Sequence, residues 1–199
     1  MSSIINASTS GGLIQSADTS GVLQLQSGGT TQFTVDSTGA YGTLERGTQV
    51  TASSTTSLEF TGIPSWAKRI TVMLNGISAS STGTVQIQLG TSSGYEITGY
   101  TSIGSGITSV VGTSNITTGF QLSNGSLAAE TAIGIMTLFN ITGNTYVTSG
   151  TINLGTKSGV FGGSKSLSGT LDRVRVIASA TGSPADTIDA GSINIMYEG

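Results

Sequence analysis

The sequence predicts an all-β fold: an antiparallel β-sandwich, jelly-roll-like, with a short N-terminal β arm. Short runs alternate apolar and polar residues or are rich in β-branched ones, the signature of strands. Gly, Asn and Ser punctuate these runs at close intervals. No crossover helices separate them, which favours antiparallel pairing in two packed sheets over an α/β fold.

The arm comes first. Within GLIQSADTSGVLQLQSGGTTQFTVDSTG (residues 12–39), Val22, Leu23 and Leu25, then Phe33 and Val35, give two strand candidates about Ser27-Gly-Gly-Thr30. A change of composition at YGTLERGTQV, residues 41–50, divides residues 1–42, an arm for assembly or attachment, from residues 43–199, a sandwich head. Strands are expected over 58–60, 69–74, 84–89, 119–122, 133–141, 145–148, 171–177 and 192–197. TVQIQLG has strict period two, placing Val85, Ile87 and Leu89 on one face and Gln86 and Gln88 on the other. NITGNTY, residues 140–146, reads as a hairpin turn, since Gly-Asn accepts positive φ. Leu127–Thr131 hints at a single helical turn, too short to stand as a helix.

The arm cannot hold its strands alone. Fully covering Leu23, Leu25, Phe33 and Val35 contributes about 6–10 kcal/mol. Ordering roughly fifteen residues costs about 1–2 kcal/mol each. These four residues therefore form a candidate assembly interface, covered by the head, by sister subunits or by another assembly.

Composition narrows the function. Only 9% of the 199 residues are charged and 30 are Gly, so hydroxyls and amides keep the surface wet. Seven scattered Lys and Arg and a net charge of −3 argue against nucleic-acid binding. No apolar run is long enough for a membrane helix, and MSSIINASTSGG lacks the pattern of a signal peptide, so no membrane insertion is expected.

The chain has neither His nor Cys, which removes triads built on them, thiolate catalysis and His-ligated zinc. Ten Asp and Glu leave paired-carboxylate chemistry, but most sit beside turn residues or at strand edges. Asp186-Thr-Ile-Asp189 lacks the spacing of a calcium loop, and Gly104-Ser-Gly106 reads as loop glycine with no helix behind it. No catalytic, cofactor or metal residue is assigned, and no enzymatic activity is expected. Trp66, preceded by Pro64, reads as a plug over one end of the sandwich. Tyr95 and Tyr100, in the Gly/Ser-rich GYEITGYTS, are candidate exposed recognition aromatics.

Residues 12–39 resemble a module found near the start of tail-fibre and head-decoration proteins of tailed bacteriophages. FTGIPSWAKRITVMLNGIS (60–78), LDRVRV (171–176) and DAGSINIMYE (189–198) resemble a β-sandwich module recurring in the same phage structural proteins. The resemblance implies a non-enzymatic virion surface protein, usually a homotrimer, without cofactors. Two placements follow from it. A capsid-decorating (cement) protein grips the major capsid protein through its arm. A short tail fibre or spike tip instead joins tail proteins and binds a host surface glycan or receptor. The short arm and the lack of a heptad shaft favour decoration.

Overall fold

The structure, a computed structural model, describes residues 21–36, 39–41, 44–107, 111–122, 128, 130–179 and 181–199. Residues 1–20 of the arm lie outside the described residues, as do Leu127 and Ala129 of the Leu127–Thr131 stretch. The chain divides into two compact units, Met1–Thr43 and Leu44–Gly199.

The first unit is a three-stranded antiparallel sheet, ordered β1 (Leu23–Ser27), β2 (Thr30–Asp36) and β3 (Gly39–Tyr41). Gly28 and Gly29 join β1 to β2 with φ of 58° and 79°. Two successive positive φ angles are what a tight hairpin of this hand demands, and glycine adopts them at least cost.

The second unit opens with β4 (Leu44–Arg46), β5 (Val50–Thr51) and β6 (Ser57–Thr61). Next come β7 (Arg69–Ala79), β8 (Thr84–Thr91), β9 (Gly94–Tyr95), β10 (Tyr100–Ile107), β11 (Val111–Ile116) and β12 (Phe120–Gln121). It closes with β13 (Ala132–Thr142), β14 (Thr145–Leu154), β15 (Lys157–Ser166), β16 (Arg173–Ser179) and β17 (Ile188–Glu198). A nine-stranded sheet runs β11-β10-β15-β14-β13-β7-β17-β4, with β5 also paired to β17. A five-stranded sheet runs β12-β8-β16-β6, with β9 paired to β8. Every pairing is antiparallel, and the two sheets pack face to face as a β-sandwich.

The layer between the sheets is apolar. Ile70, Val72, Met136 and Leu138 from the wide sheet meet Leu58, Ile87, Leu89 and Val176 from the narrow one, all essentially inaccessible to water. Glycines make room for the largest rings. A side chain at Gly163 would meet the Phe120 ring at 3.1 Å, and one at Gly150 would overlap Phe161. The glycines thus act as sockets in strands that read as loop. Gly104-Ser-Gly106 lies inside β10, with Gly104 directly opposite Phe161, rather than in a loop. The expected strand 171–177 runs instead from Arg173 to Ser179, because Asp172 turns its backbone N–H to Gly90.

Strand β8 shows how the narrow sheet finishes its other side. Val85, Ile87 and Leu89 face the core as the alternation predicts, yet Gln86 and Gln88 are also fully buried. The Gln88 amide donates to the carbonyls of Thr118 and Gly182, both at 2.7 Å, and accepts from Arg175 Nε at 2.8 Å. Gln86 Nε2 donates to the Ser179 carbonyl at 2.8 Å. Residues near Thr118 and Gly182 therefore roof the outer surface of β8. Gly182 needs φ of 86°, and a Cβ there would overlap the Thr118 side chain.

Replacing Gln88 by Leu strands two buried carbonyls and the Arg175 Nε–H. Unfolding in denaturant is expected to reveal a loss of about 2–4 kcal/mol. Unchanged stability would mean that these amide contacts contribute nothing.

Candidate functional site

The hairpin of the first unit brings the four predicted interface residues together. Leu23 stands opposite Val35 and Leu25 opposite Phe33, two neighbouring cross-strand pairs on one face. Gln24 and Gln26 take the other face, where their amides approach within 3.4 Å. Leu23 and Leu25 remain 40% and 48% exposed, while Phe33 and Val35 are half-buried. A register shift between Leu25 and Gln26 leaves both apolar pairs on the β3 side of the bulge. The result is a sheet with one apolar and one amide face.

The two recognition candidates fare differently. Tyr100 is a core residue, 2% exposed, which corrects its reading as an exposed aromatic. Its ring meets Phe120 edge-on at 5.0 Å. Its hydroxyl accepts from Leu89 N–H at 2.7 Å and donates to the Glu96 carbonyl at 3.0 Å. Burial pushes its ionisation well above the ordinary tyrosine value. The surrounding Gly and Ser hide this role, because they are strand residues rather than loop.

Tyr95 is half-buried on the outer side of the narrow sheet. The Arg175 guanidinium lies 4.2 Å from its ring centroid and Arg173 lies 5.8 Å away. Its hydroxyl donates to Glu59 Oε2 at 3.1 Å, and Ser57 donates to Glu59 Oε1 at 2.6 Å. Burial, then the Glu59 charge, drives the phenol pKa upward. Tyr95 is thus fixed within a cation-π and hydrogen-bond network. Trp66 packs edge-on against Tyr197 at 5.7 Å beside the core, as expected of a plug.

Acids are dispersed among separate partners. Arg69 pairs with Glu198, Lys157 with Glu130 at 2.6 Å, and Arg173 with Asp172 at 2.9 Å. Among the described residues, no group of three or more Asp and Glu is placed to hold a metal ion. No helix among them is long and apolar enough to cross a membrane. A polar depression of about 580 Å³ lies between the 91–93 and 168–172 segments, lined largely by Ser and Thr.

A second apolar surface was missed by the strand alternation rule. Ile103 on β10, Val160 on β15, and Ile133, Ile135, Phe139 and Ile141 on β13 are all 43–60% exposed. Register puts Val160 opposite Thr151, Thr151 opposite Ile135, and Ile135 opposite Met73, one continuous row over β15, β14, β13 and β7. The signal was in AIGIMTLFNIT itself, which is apolar at both odd and even positions. Such a strand expects cover on both faces.

Comparison with known proteins returned no match to a family model, a curated protein or a solved structure.

Lys165, only 6% exposed, is held by Glu96 at 2.6 Å and by the Thr98 carbonyl at 2.9 Å. Partial burial pushes the Glu96 carboxyl up, but Lys165 and the two Ser168 donors outweigh it and hold the pKa below its ordinary value. A depressed folded pKa contributes stability above the unfolded value, lost as pH falls through the folded one. Glu96→Gln is expected to cost about 2–4 kcal/mol at pH 7, short of a fully buried pair. In denaturant unfolding across pH 7 to 2, the gap between the two proteins should close as wild-type Glu96 protonates. A gap independent of pH would sink the ion-pair account.

Proposed function

We propose that the protein is a non-enzymatic bacteriophage structural protein, a homotrimeric capsid-decorating (cement) protein. The observation that carries this reading is the hairpin unit with its paired, exposed Leu23 and Leu25 beside half-buried Phe33 and Val35. A small sheet with one apolar and one amide face suits attachment to a large lattice. Contacts that are weak singly become strong when three arms engage together, because the second and third bind at high effective concentration. In this reading the arm grips the major capsid protein and the sandwich projects outward, where it contacts the host surface. The resemblance of residues 12–39 and 60–78 to phage virion modules supports the class of protein. The runner-up, a short tail fibre tip, shares that class and differs in copy number.

Quantitative mass spectrometry of purified virions is expected to count hundreds of copies in simple ratio to the major capsid protein. A few trimers per particle would replace decoration by the tail-fibre reading. The double variant Leu23→Ser/Leu25→Ser is expected to weaken capsid attachment about thirtyfold for each engaged arm, about 2 kcal/mol, with head stability unchanged. Attachment at wild-type strength would remove the arm from the interface.

A further inference from the structure

We infer that the outer face of the nine-stranded sheet is the surface on which copies of this chain meet. This deepens the homotrimeric reading above and rests on it.

The first ground is chemical. The outward rows of β10, β15, β14, β13, β7 and the Ser192–Glu198 part of β17 carry two charged side chains, Arg69 and Glu198, paired to each other at one end, and at that same edge Arg46 of β4 lies opposite Met196. The rest of that field holds Ile103, Val160, Ile133, Ile135, Phe139 and Ile141, separated by Thr, Ser and a few Asn and Met. An uncharged face of this kind offers a charged partner no compensation for desolvation. It suits a surface equally free of charge. In a trimer, whose contacts are heterologous, one part of this face on each copy meets a different part of its neighbour's.

The second ground is area. Six strands at about 4.8 Å spacing, over nine residues at about 3.3 Å rise, present about 29 Å by 29 Å, or about 800 Å². A standard interface takes about 800 Å² from each partner, so this face supplies about half of the area for each of the two contacts a trimer's copy makes. Shallow depressions of about 440 Å³ and 420 Å³ lie on either side of Val160, the first floored by Gly162, and give the face relief to receive side chains.

The third ground is contrast. The outer side of the narrow sheet is roofed over Gln86 and Gln88 and elsewhere carries Glu59, Arg173 and Arg175 locked around Tyr95. Except for Gln121 Oε1, the buried polar side chains described along this side already have partners. The wide sheet is the one whose second apolar face lacks a cover within its own unit.

The chain has no Cys, so a single introduced thiol reports on burial without crowding the face. Thr151→Cys sits at the centre of the patch, and Thr61→Cys lies on the outer side of the narrow sheet; both positions are exposed in the single chain. With the full chain at assembly concentration, alkylation of Thr151→Cys is expected to be at least tenfold slower than that of Thr61→Cys. Ile135→Lys, at a position 53% exposed, is expected to give a folded monomer by light scattering. Equal alkylation rates in a protein that still oligomerises would overturn this inference and leave the trimer standing. A wild-type protein that is monomeric at all concentrations, with both thiols equally reactive, would overturn both. A protected Thr151→Cys in such a monomer would mean that the arm, rather than a second copy, covers the face.

Discussion

One dry layer between two sheets of unequal width holds the sandwich together. Each sheet buries one face in it, so each must finish its other face by different means. The narrow sheet does so internally: loop carbonyls of Thr118 and Gly182 meet the amide of Gln88, and the Ser179 carbonyl at the end of β16 meets that of Gln86. The wide sheet does not, and Ile103, Ile135, Phe139 and Ile141 stay exposed in the single chain. In the proposed assembly a second copy covers that face.

Glutamine is the right residue for the roof over β8. A leucine would fill the space but leave the Thr118 and Gly182 carbonyls without donors, and buried acceptors without partners cost about 1–3 kcal/mol each. A charged side chain would need a counter-ion in a dry site. The primary amide gives two N–H groups and one acceptor, and Gln88 uses all three, the acceptor toward Arg175. Arg175 in turn lies over the Tyr95 ring, which donates to Glu59. The roof, the strand and the surface network are therefore one connected set, and Gly182 is required because only its bare backbone fits beside Thr118.

The all-β class, the strict alternation of β8, the Asn140–Tyr146 hairpin and the cross-strand placement of Leu23, Leu25, Phe33 and Val35 were legible in the sequence. These rest on periodicity and turn chemistry, which are local. Strands β10, β11 and β15 were not, since GSG, VGTSNI and FGGS lack the apolar side chains that mark a strand. Gly163 of β15 is set by the ring of Phe120 on the facing sheet, and Gly150 of β14 by Phe161, so the reason for each glycine lies on another strand. The same dependence on other strands hid Tyr100. Read beside Gly99 and Thr101 it looks like a loop aromatic, but its position is fixed by Leu89, Phe120 and Lys165.

The scarcity of charge gains a specific meaning from where the charges lie. Lys165 with Glu96 ties the segment after β9 to β15, Lys157 with Glu130 ties the approach to β13, and Arg69 with Glu198 joins β7 to β17. These ions serve as fasteners at strand ends and loops, where partly exposed pairs act on chain segments that carry little apolar surface. The broad outer face of the wide sheet is left largely to Thr, Ser and aliphatic residues. Hydroxyls suit a face that is wet before assembly and dry after it, because they are solvated by water at modest cost of removal and can bond to carbonyls or to each other once covered. A charged face would resist that exchange, and a wholly aliphatic one would aggregate before finding its partner. The mixed Thr, Ser and Ile pattern of the wide sheet lies between these limits, as the proposed interface between separately folded copies requires.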